Sequence, residues 1–230
     1  GILICNVDIL SNIDIPTLCF LKEINAIGAC RICVVENRVN GMGRLVAACV
    51  FPVAEGMEIY THSPMVQKAR KQTLELILSD HDKKCLSCVR SGSCELQRLC
   101  NEYGVDKEDS FNGAVNVFDI DNSAVHMYRD NNKCILCRRC VAVCDKLQGV
   151  SVIGANERGF ATHIGSAFDD GLGLTSCVSC GQCIVACPVG ALSEKDDTDK
   201  VWEALADPTK HVVVQVAPSI RVTLGEAFDM

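Results

Sequence analysis

The chain has 230 residues, a formal net charge of −7, 48% hydrophobic residues and only 5% aromatics. The acidic balance argues against nucleic acid as a partner, since a phosphate-binding surface needs a basic excess, and no stretch approaches the ~20 apolar residues of a membrane span. The length allows two or three small domains.

The outlier is the count of 17 cysteines. An odd number cannot pair completely within the chain, and Gly1-Ile2-Leu3-Ile4-Cys5 carries no charged-then-apolar leader, so a secreted disulfide framework is disfavoured. The cysteines also come in runs separated by two residues, which point side chains of one turn at a common centre and suit a metal. No initiator Met opens the chain, and it stops at Asp229-Met230 as an apolar helix begins, so both ends read as cut and the chain as a fragment of a longer protein.

In chain order, Val34-Val35-Glu36, Leu45-Val46-Ala47 and Met57-Glu58-Ile59-Tyr60 read as strands, with a turn at Gly41 to Gly43. Ser63-Pro64 opens a helix running to about Leu78, with Val66, Ala69, Thr73 and Ile77 as its apolar stripe and its basic residues on a solvated face. A cysteine segment spans 81–100, a polar connector follows, and Val125 to Tyr128 reads as a strand. The stretch between the last two cysteine runs is glycine-rich and aperiodic, hence loops and short strands. Thr198 to Asp207 reads as a helix, His211 to Val216 as a buried strand, and Ala217-Pro218-Ser219 as the start of another helix.

The clearest motif is a repeat. Cys134-x2-Cys137-x2-Cys140-x3-Cys144 is followed by Cys177-x2-Cys180-x2-Cys183-x3-Cys187-Pro188. This is the bacterial two-cluster ferredoxin spacing, in which the fourth cysteine of each run ligates the other cluster. It assigns Cys134, Cys137, Cys140 and Cys187 to one 4Fe–4S cluster, and Cys144, Cys177, Cys180 and Cys183 to a second. The first run has Asp145 where the second has Pro188. Zinc knuckles draw two cysteine pairs, and the third cysteine at the same interval is surplus to them.

A second set is Cys19-x10-Cys30-x2-Cys33-x15-Cys49, a plant-type 2Fe–2S pattern with a widened first gap. Zinc is the alternative on spacing alone. A third is His81-x3-Cys85-x2-Cys88-x5-Cys94, with Cys100 competing with His81 as fourth ligand. A neutral imidazole in place of a thiolate removes negative charge and raises a cluster's potential. Cys5 and Cys100 read as packed structural thiols, and His62, His126, His163 and His211 as non-ligands.

The segments Ile13 to Cys19, Gly28-Ala29-Cys30-Arg31-Ile32-Cys33-Val34-Val35-Glu36 and Pro52 to Met57 resemble the N-terminal ferredoxin-like domain of iron-only hydrogenases, which the large iron–sulfur subunit of respiratory NADH dehydrogenase shares. Ser79-Asp80-His81 with Cys85 to Cys94 resembles the His-ligated 4Fe–4S segment of both families, which favours His81 over Cys100. The paired repeat is similar to that of iron-only hydrogenases and of some NAD-linked formate dehydrogenase subunits, whereas the respiratory subunit is expected to differ there. The tail Val214 to Glu226 resembles the opening of the hydrogenase catalytic domain.

The resemblance implies an α+β fold. Residues 1–62 form a ferredoxin-like 2Fe–2S β-grasp domain lacking its first strands, 63–120 a small helical domain with the His-ligated 4Fe–4S cluster, 121–208 a two-cluster 4Fe–4S ferredoxin domain, and 209–230 the start of a truncated catalytic domain. It implies an electron relay between an external carrier (ferredoxin, or a flavin- and NAD(P)-binding partner subunit) and a hydrogen-activating di-iron cluster held by residues beyond this chain, so the fragment itself has no catalytic residues. The alternatives are an electron-input region of an NAD-linked formate dehydrogenase or NADH dehydrogenase, and a stand-alone polyferredoxin. Oxygen-labile clusters imply the cytoplasm of an anaerobe or an anaerobic organelle.

Overall fold

The computed structural model describes residues 2–6, 13–105 and 111–229. These fall into two compact units, Gly1–Glu194 and Lys195–Met230.

The first unit opens with a three-stranded antiparallel sheet of β1 (Val34–Val39), β2 (Met42–Ala47) and β3 (Glu58–Tyr60), in the order β2-β1-β3. The turn at Asn40-Gly41 joins β1 to β2, and both residues take positive φ, which Asn and Gly tolerate best. Helix α1 (Pro64–Leu78) follows, capped by the Ser63 hydroxyl, which accepts from the Val66 N–H at 3.4 Å. Its buried residues are Val66, Arg70 and Leu74, not the expected stripe of Ala69, Thr73 and Ile77. The difference is one position of helical phase, and the cause is Arg70. Its guanidinium is wholly buried and donates to the Val34 carbonyl and the Tyr103 hydroxyl, each at 2.8 Å, tying α1 to β1. A basic residue expected on a solvated face thus joins two segments of the core.

Helix α2 (Glu95–Glu102) begins at Cys94, whose sulfur accepts from the Gln97 N–H. Beyond it, β4 (Met127–Arg129) pairs with β7 (Leu192–Glu194), and β5 (Gly154–Asn156) with β6 (His163–Gly165), both antiparallel. The one-turn helix α3 (Arg139–Ala142) continues as a wider π turn over Val143–Leu147, and α4 (Gln182–Ala186) is its counterpart in the second run.

One apolar core runs through the first unit from Leu18 and Ile32 through Leu74, Leu96 and Leu99 to Ile153, Ile164 and Leu192. The three expected domains therefore share a core. A smaller core of Ile4, Ile15, Val35 and Val46 lies behind the first sheet.

The second unit holds α5 (Thr198–Ala206) and α6 (Pro218–Ala227). Here the division falls after residue 194, where the sequence suggests 208. The expected strand over 211–216 is an exposed irregular segment instead. Among the described residues this unit contains no strand to pair with, and an unpaired strand leaves its N–H and C=O groups to water.

Candidate metal centres

The first set is built by a loop and the sheet. Cys30 and Cys33 flank Arg31 and Ile32 at the entry to β1, and Cys49 follows β2. Gly28 and Arg31 both have positive φ, so the loop folds tightly under Cys19. All four cysteines are buried and free of disulfides. Their thiols hydrogen-bond one another. Hydrogen bonding from Cys30 and then Cys49 holds Cys19 low, and from Cys49 and then Cys5 holds Cys33 low, the one Cys49 proton serving either neighbour. The same bonds push Cys30 and Cys49 up. Four buried thiols within reach of one another, with no disulfide among them, are a soft donor set that fits a 2Fe–2S cluster. Cys5, read from sequence as a packed thiol, is a fifth member of this neighbourhood, held there by its N–H to the Ala48 carbonyl at 3.2 Å.

The repeat builds two apolar hollows. Cys134, Cys137, Cys140 and Cys187 line one, with Ile135, Ile164 and Val189. Cys144, Cys177, Cys180 and Cys183 line the other, with Met127, Val152 and Leu172. Each hollow thus takes three thiols from one run and the fourth from the other. The backbone repeats too. Leu136 and Arg138 of the first run, and Ser179 and Gly181 of the second, all have positive φ. For Leu136 and Arg138 that conformation costs about 1–2 kcal/mol each, a strain held by the surrounding fold. Burial pushes Cys134 up to about 11, Cys137 up to about 12 and Cys183 up to about 11. Iron binding there must release protons. An apolar hollow walled by four cysteines fits a cubane whose thiolate ligands neutralise metal charge.

The third set is arranged differently. Cys85 is exposed, and Cys88, which ends a short turn over 85–87, and Cys94, at the start of α2, are half-buried. Burial pushes the Cys94 thiol up, and its neighbours Cys88 and Cys85 add to the rise. The Cys100 thiol is pushed up to about 11 by burial and by Cys94 and Cys85, so it lies within their electrostatic reach. His81 has its own surroundings. Burial lowers its pKa, against the opposing charge of Asp82 and a hydrogen bond with the Lys133 backbone, and its Nδ1 is buried with no partner among the described residues. A neutral imidazole with an orphaned nitrogen is in the protonation state a metal takes. Among the described residues no three His, Cys, Asp or Glu side chains are disposed to hold a single metal ion.

The centres abut one another through residues that spacing does not reveal. The Asn25 amide donates to the Cys19 carbonyl at 2.7 Å and the Cys137 carbonyl at 3.0 Å, so one buried side chain joins the first set to the first hollow. Lys146 adds a bond to the Ile24 carbonyl. On the other side, the Glu95 N–H donates to the Pro188 carbonyl, its carboxylate pairs with buried Arg139 at 2.7 Å, and Arg90 donates to the Ile184 carbonyl. A Cβ on Gly190 would stand 2.6 Å from the Cys88 sulfur, so only glycine lets the two segments approach this closely. Asn25 is separated by 112 positions from the cysteine it holds, which is why sequence gives no signal for it.

Comparison with known proteins follows the same division. Residues 4–64 match a 2Fe-2S iron-sulfur cluster binding domain, 70–109 the iron-sulfur binding region of NADH-ubiquinone oxidoreductase-G, and 124–193 the ferredoxin-like domain of NADH-quinone oxidoreductase subunit 3. The chain is 44% identical over 220 residues to the NADP-reducing hydrogenase subunit HndD of Solidesulfovibrio fructosivorans, covering 94% of this chain and 37% of that protein. It is 39% identical over 232 residues to iron hydrogenase 1 of Clostridium pasteurianum, covering 96% and 38%. It is 33% identical over 217 residues to the mitochondrial NADH-ubiquinone oxidoreductase 78 kDa subunit of Candida albicans, covering 93% and 29%. The chain thus spans between about three tenths and two fifths of the length of these relatives. A crystal structure of an NAD+-reducing [NiFe]-hydrogenase in the H2-reduced state superposes with a TM-score of 0.77 at 28% identity, over 91% of this chain and 84% of that one. The paired repeat therefore does not separate the families as the sequence suggests, because the region that contains it matches a respiratory-type model. No helix among the described residues is long and apolar enough to cross a membrane. With ferredoxin-like 2Fe-2S and 4Fe-4S regions in this order, the chain is an iron–sulfur electron-transfer region related to those of NADH-type oxidoreductase subunits and of iron hydrogenases.

Proposed function

We propose that this chain is the accessory-cluster relay of an iron-only hydrogenase. It carries electrons between an external carrier, either ferredoxin or a flavin- and NAD(P)-binding partner subunit, and a hydrogen-activating di-iron site held elsewhere in the protein. The observation that carries the relay is the exchange of fourth thiols between the two hollows, Cys187 in one and Cys144 in the other. That exchange keeps two centres side by side. In this reading the ligands are Cys19, Cys30, Cys33 and Cys49 for a 2Fe–2S cluster, and His81, Cys85, Cys88 and Cys94 for a 4Fe–4S cluster. Two further 4Fe–4S clusters are held by Cys134, Cys137, Cys140 and Cys187, and by Cys144, Cys177, Cys180 and Cys183. The clusters supply one-electron transfer; the protein holds them near one another, limits water and tunes their potentials.

Asn25 and the Glu95–Arg139 pair support a branched arrangement. The first set and the third each adjoin the Cys134-run hollow or the thiols that line it. The hydrogenase reading draws on the tail Val214 to Glu226 and on the similarity to HndD and iron hydrogenase 1. A second reading, the electron-input region of an NADH dehydrogenase, is supported equally by the similarity to the 78 kDa mitochondrial protein and by the respiratory-type match over 124–193. The reducing compartment is an anaerobe's cytoplasm or an anaerobic organelle.

Anaerobically reconstituted protein should carry about fourteen irons per chain, with matching acid-labile sulfide, from one two-iron and three four-iron clusters. Zinc without labile sulfide would sink the relay. His81→Cys and Cys100→Ser separate the rivals for the third set. With His81 as ligand, Cys100→Ser keeps the full iron content and His81→Cys lowers that cluster's potential. The full-length protein, assayed for hydrogen uptake with a reducible dye, distinguishes hydrogenase from dehydrogenase.

A further inference from the structure

Arg129 lines both hollows of the repeat. It is the last residue of β4 and pairs in register with Leu192 of β7, the other side chain common to the two. The residue is 7% exposed. Among the described residues, only Nη2 makes an ion pair, with the Asp121 carboxylate at 3.1 Å, while Asp169 and His163 stand within electrostatic reach. Nε and Nη1 are shielded from solvent and meet no acceptor among the described residues. Asp121 is itself shared, since it also accepts from the Ser123 N–H and hydroxyl and from the Leu172 N–H.

A buried cation with two idle donors is costly unless something negative or electron-rich fills the space beside it. The space beside it is the two thiol-lined hollows. A 4Fe–4S cluster there carries net negative charge and presents sulfur atoms that accept hydrogen bonds, both of which tune potential.

We propose that Arg129 is a shared positioning residue for both 4Fe–4S clusters of the repeat, its positive charge in the wall between them raising the reduction potential of each. The inference rests on the cluster reading of the repeat and adds to it a single group that sets two potentials together. Reduction adds one negative charge to a cluster, and a fixed cation in a low-dielectric wall stabilises that state more than the oxidised one. Asp121, the partner carboxylate, acts with the opposite sign.

The test is a redox titration of the cluster-replete chain, followed by electron paramagnetic resonance, with the 2Fe–2S signal as internal reference. In Arg129→Met, the ratio of reduced to oxidised cluster at a fixed potential should fall about tenfold for both 4Fe–4S centres of the repeat, equivalent to about 59 mV for a one-electron couple. The 2Fe–2S ratio should stay unchanged. Asp121→Asn, which keeps the shape and leaves the guanidinium uncompensated, should move both ratios the other way. This second variant keeps the proposal testable if Arg129→Met fails to load its clusters. Arg129→Lys, retaining charge without the planar fork, should restore most of the shift. Unmoved potentials in replete Arg129→Met or Asp121→Asn overturn the proposal, as does a shift confined to one cluster. Absence of 4Fe–4S signals from the unaltered chain would instead remove the cluster reading itself.

Discussion

The two halves of the repeat have the same cysteine spacing and the same left-handed turns, yet they sit in different surroundings. Cys137, Cys140 and Cys187 of the first hollow are buried, whereas Cys180 of the second is exposed and Cys144, Cys177 and Cys183 are half-buried. The spacing cannot cause this, since it is shared. The cause is what packs outside. The first hollow is flanked by Asn25 on Cys137 and by the Glu95–Arg139 pair beside Cys140. The second has the exposed side chain of Val178 in its lining. Two copies of one motif can therefore hold the same cofactor at different solvent exposure, and exposure is one of the levers on potential.

The sharpest way to break the comparison is to remove one ligand from each half. Cys140→Ala and Cys183→Ala should each lose about four irons per chain. Cys140→Ala should also lower the thermal midpoint further, because its hollow is walled by core residues shared with the first set. Equal midpoints would mean that the two halves contribute alike to the fold. In the unaltered protein, a mild oxidant should bleach the more exposed second-half cluster first, read by loss of its paramagnetic signal.

A smaller effect is expected at the junction. Asn25→Ala leaves two buried carbonyls without their donor and should cost about 1–3 kcal/mol in denaturant unfolding. Because the lost bonds touch Cys137 and not the second hollow, oxidant sensitivity should rise in the first half alone. A change no larger than that of an exposed amide, such as Gln72→Ala, would remove Asn25 from this role.

The smallest effect sharpens the backbone part of the comparison. Gly181 has φ of +73° and open space where a Cβ would go, so Gly181→Ala isolates the conformational penalty at about 1 kcal/mol. Arg138 already bears that penalty at the equivalent position, with φ of +58°. Should Gly181→Ala unfold at the same denaturant concentration as the parent, the left-handed turn is not a strained feature of the repeat.

Much of this molecule was legible from local pattern. The Ser63-Pro64 start of α1, the strands beginning at Val34 and ending at Ala47 and Tyr60, and the helix from Thr198 each follow from neighbours a few residues apart. The grouping of thiols into each hollow of the repeat is equally local, because the loop spacing itself brings three of the four together. The strand expected over 211–216 fails because pattern reports what a segment tolerates, not whether a partner strand exists.

Sequence by itself determined which thiols stand together within each run, since ligand spacing and tight turns act over a handful of residues. Only the tertiary structure decided the rest. It brought Cys5 beside Cys33, buried Arg70 on a helix face where a basic side chain is expected in water, and set Asn25 between Cys19 and Cys137. It also set Arg129 in the wall between two hollows with two donors idle. Each of these depends on segments far apart in the chain meeting in one dry interior. There an unpaired polar group is expensive, and what stands beside it controls its chemistry.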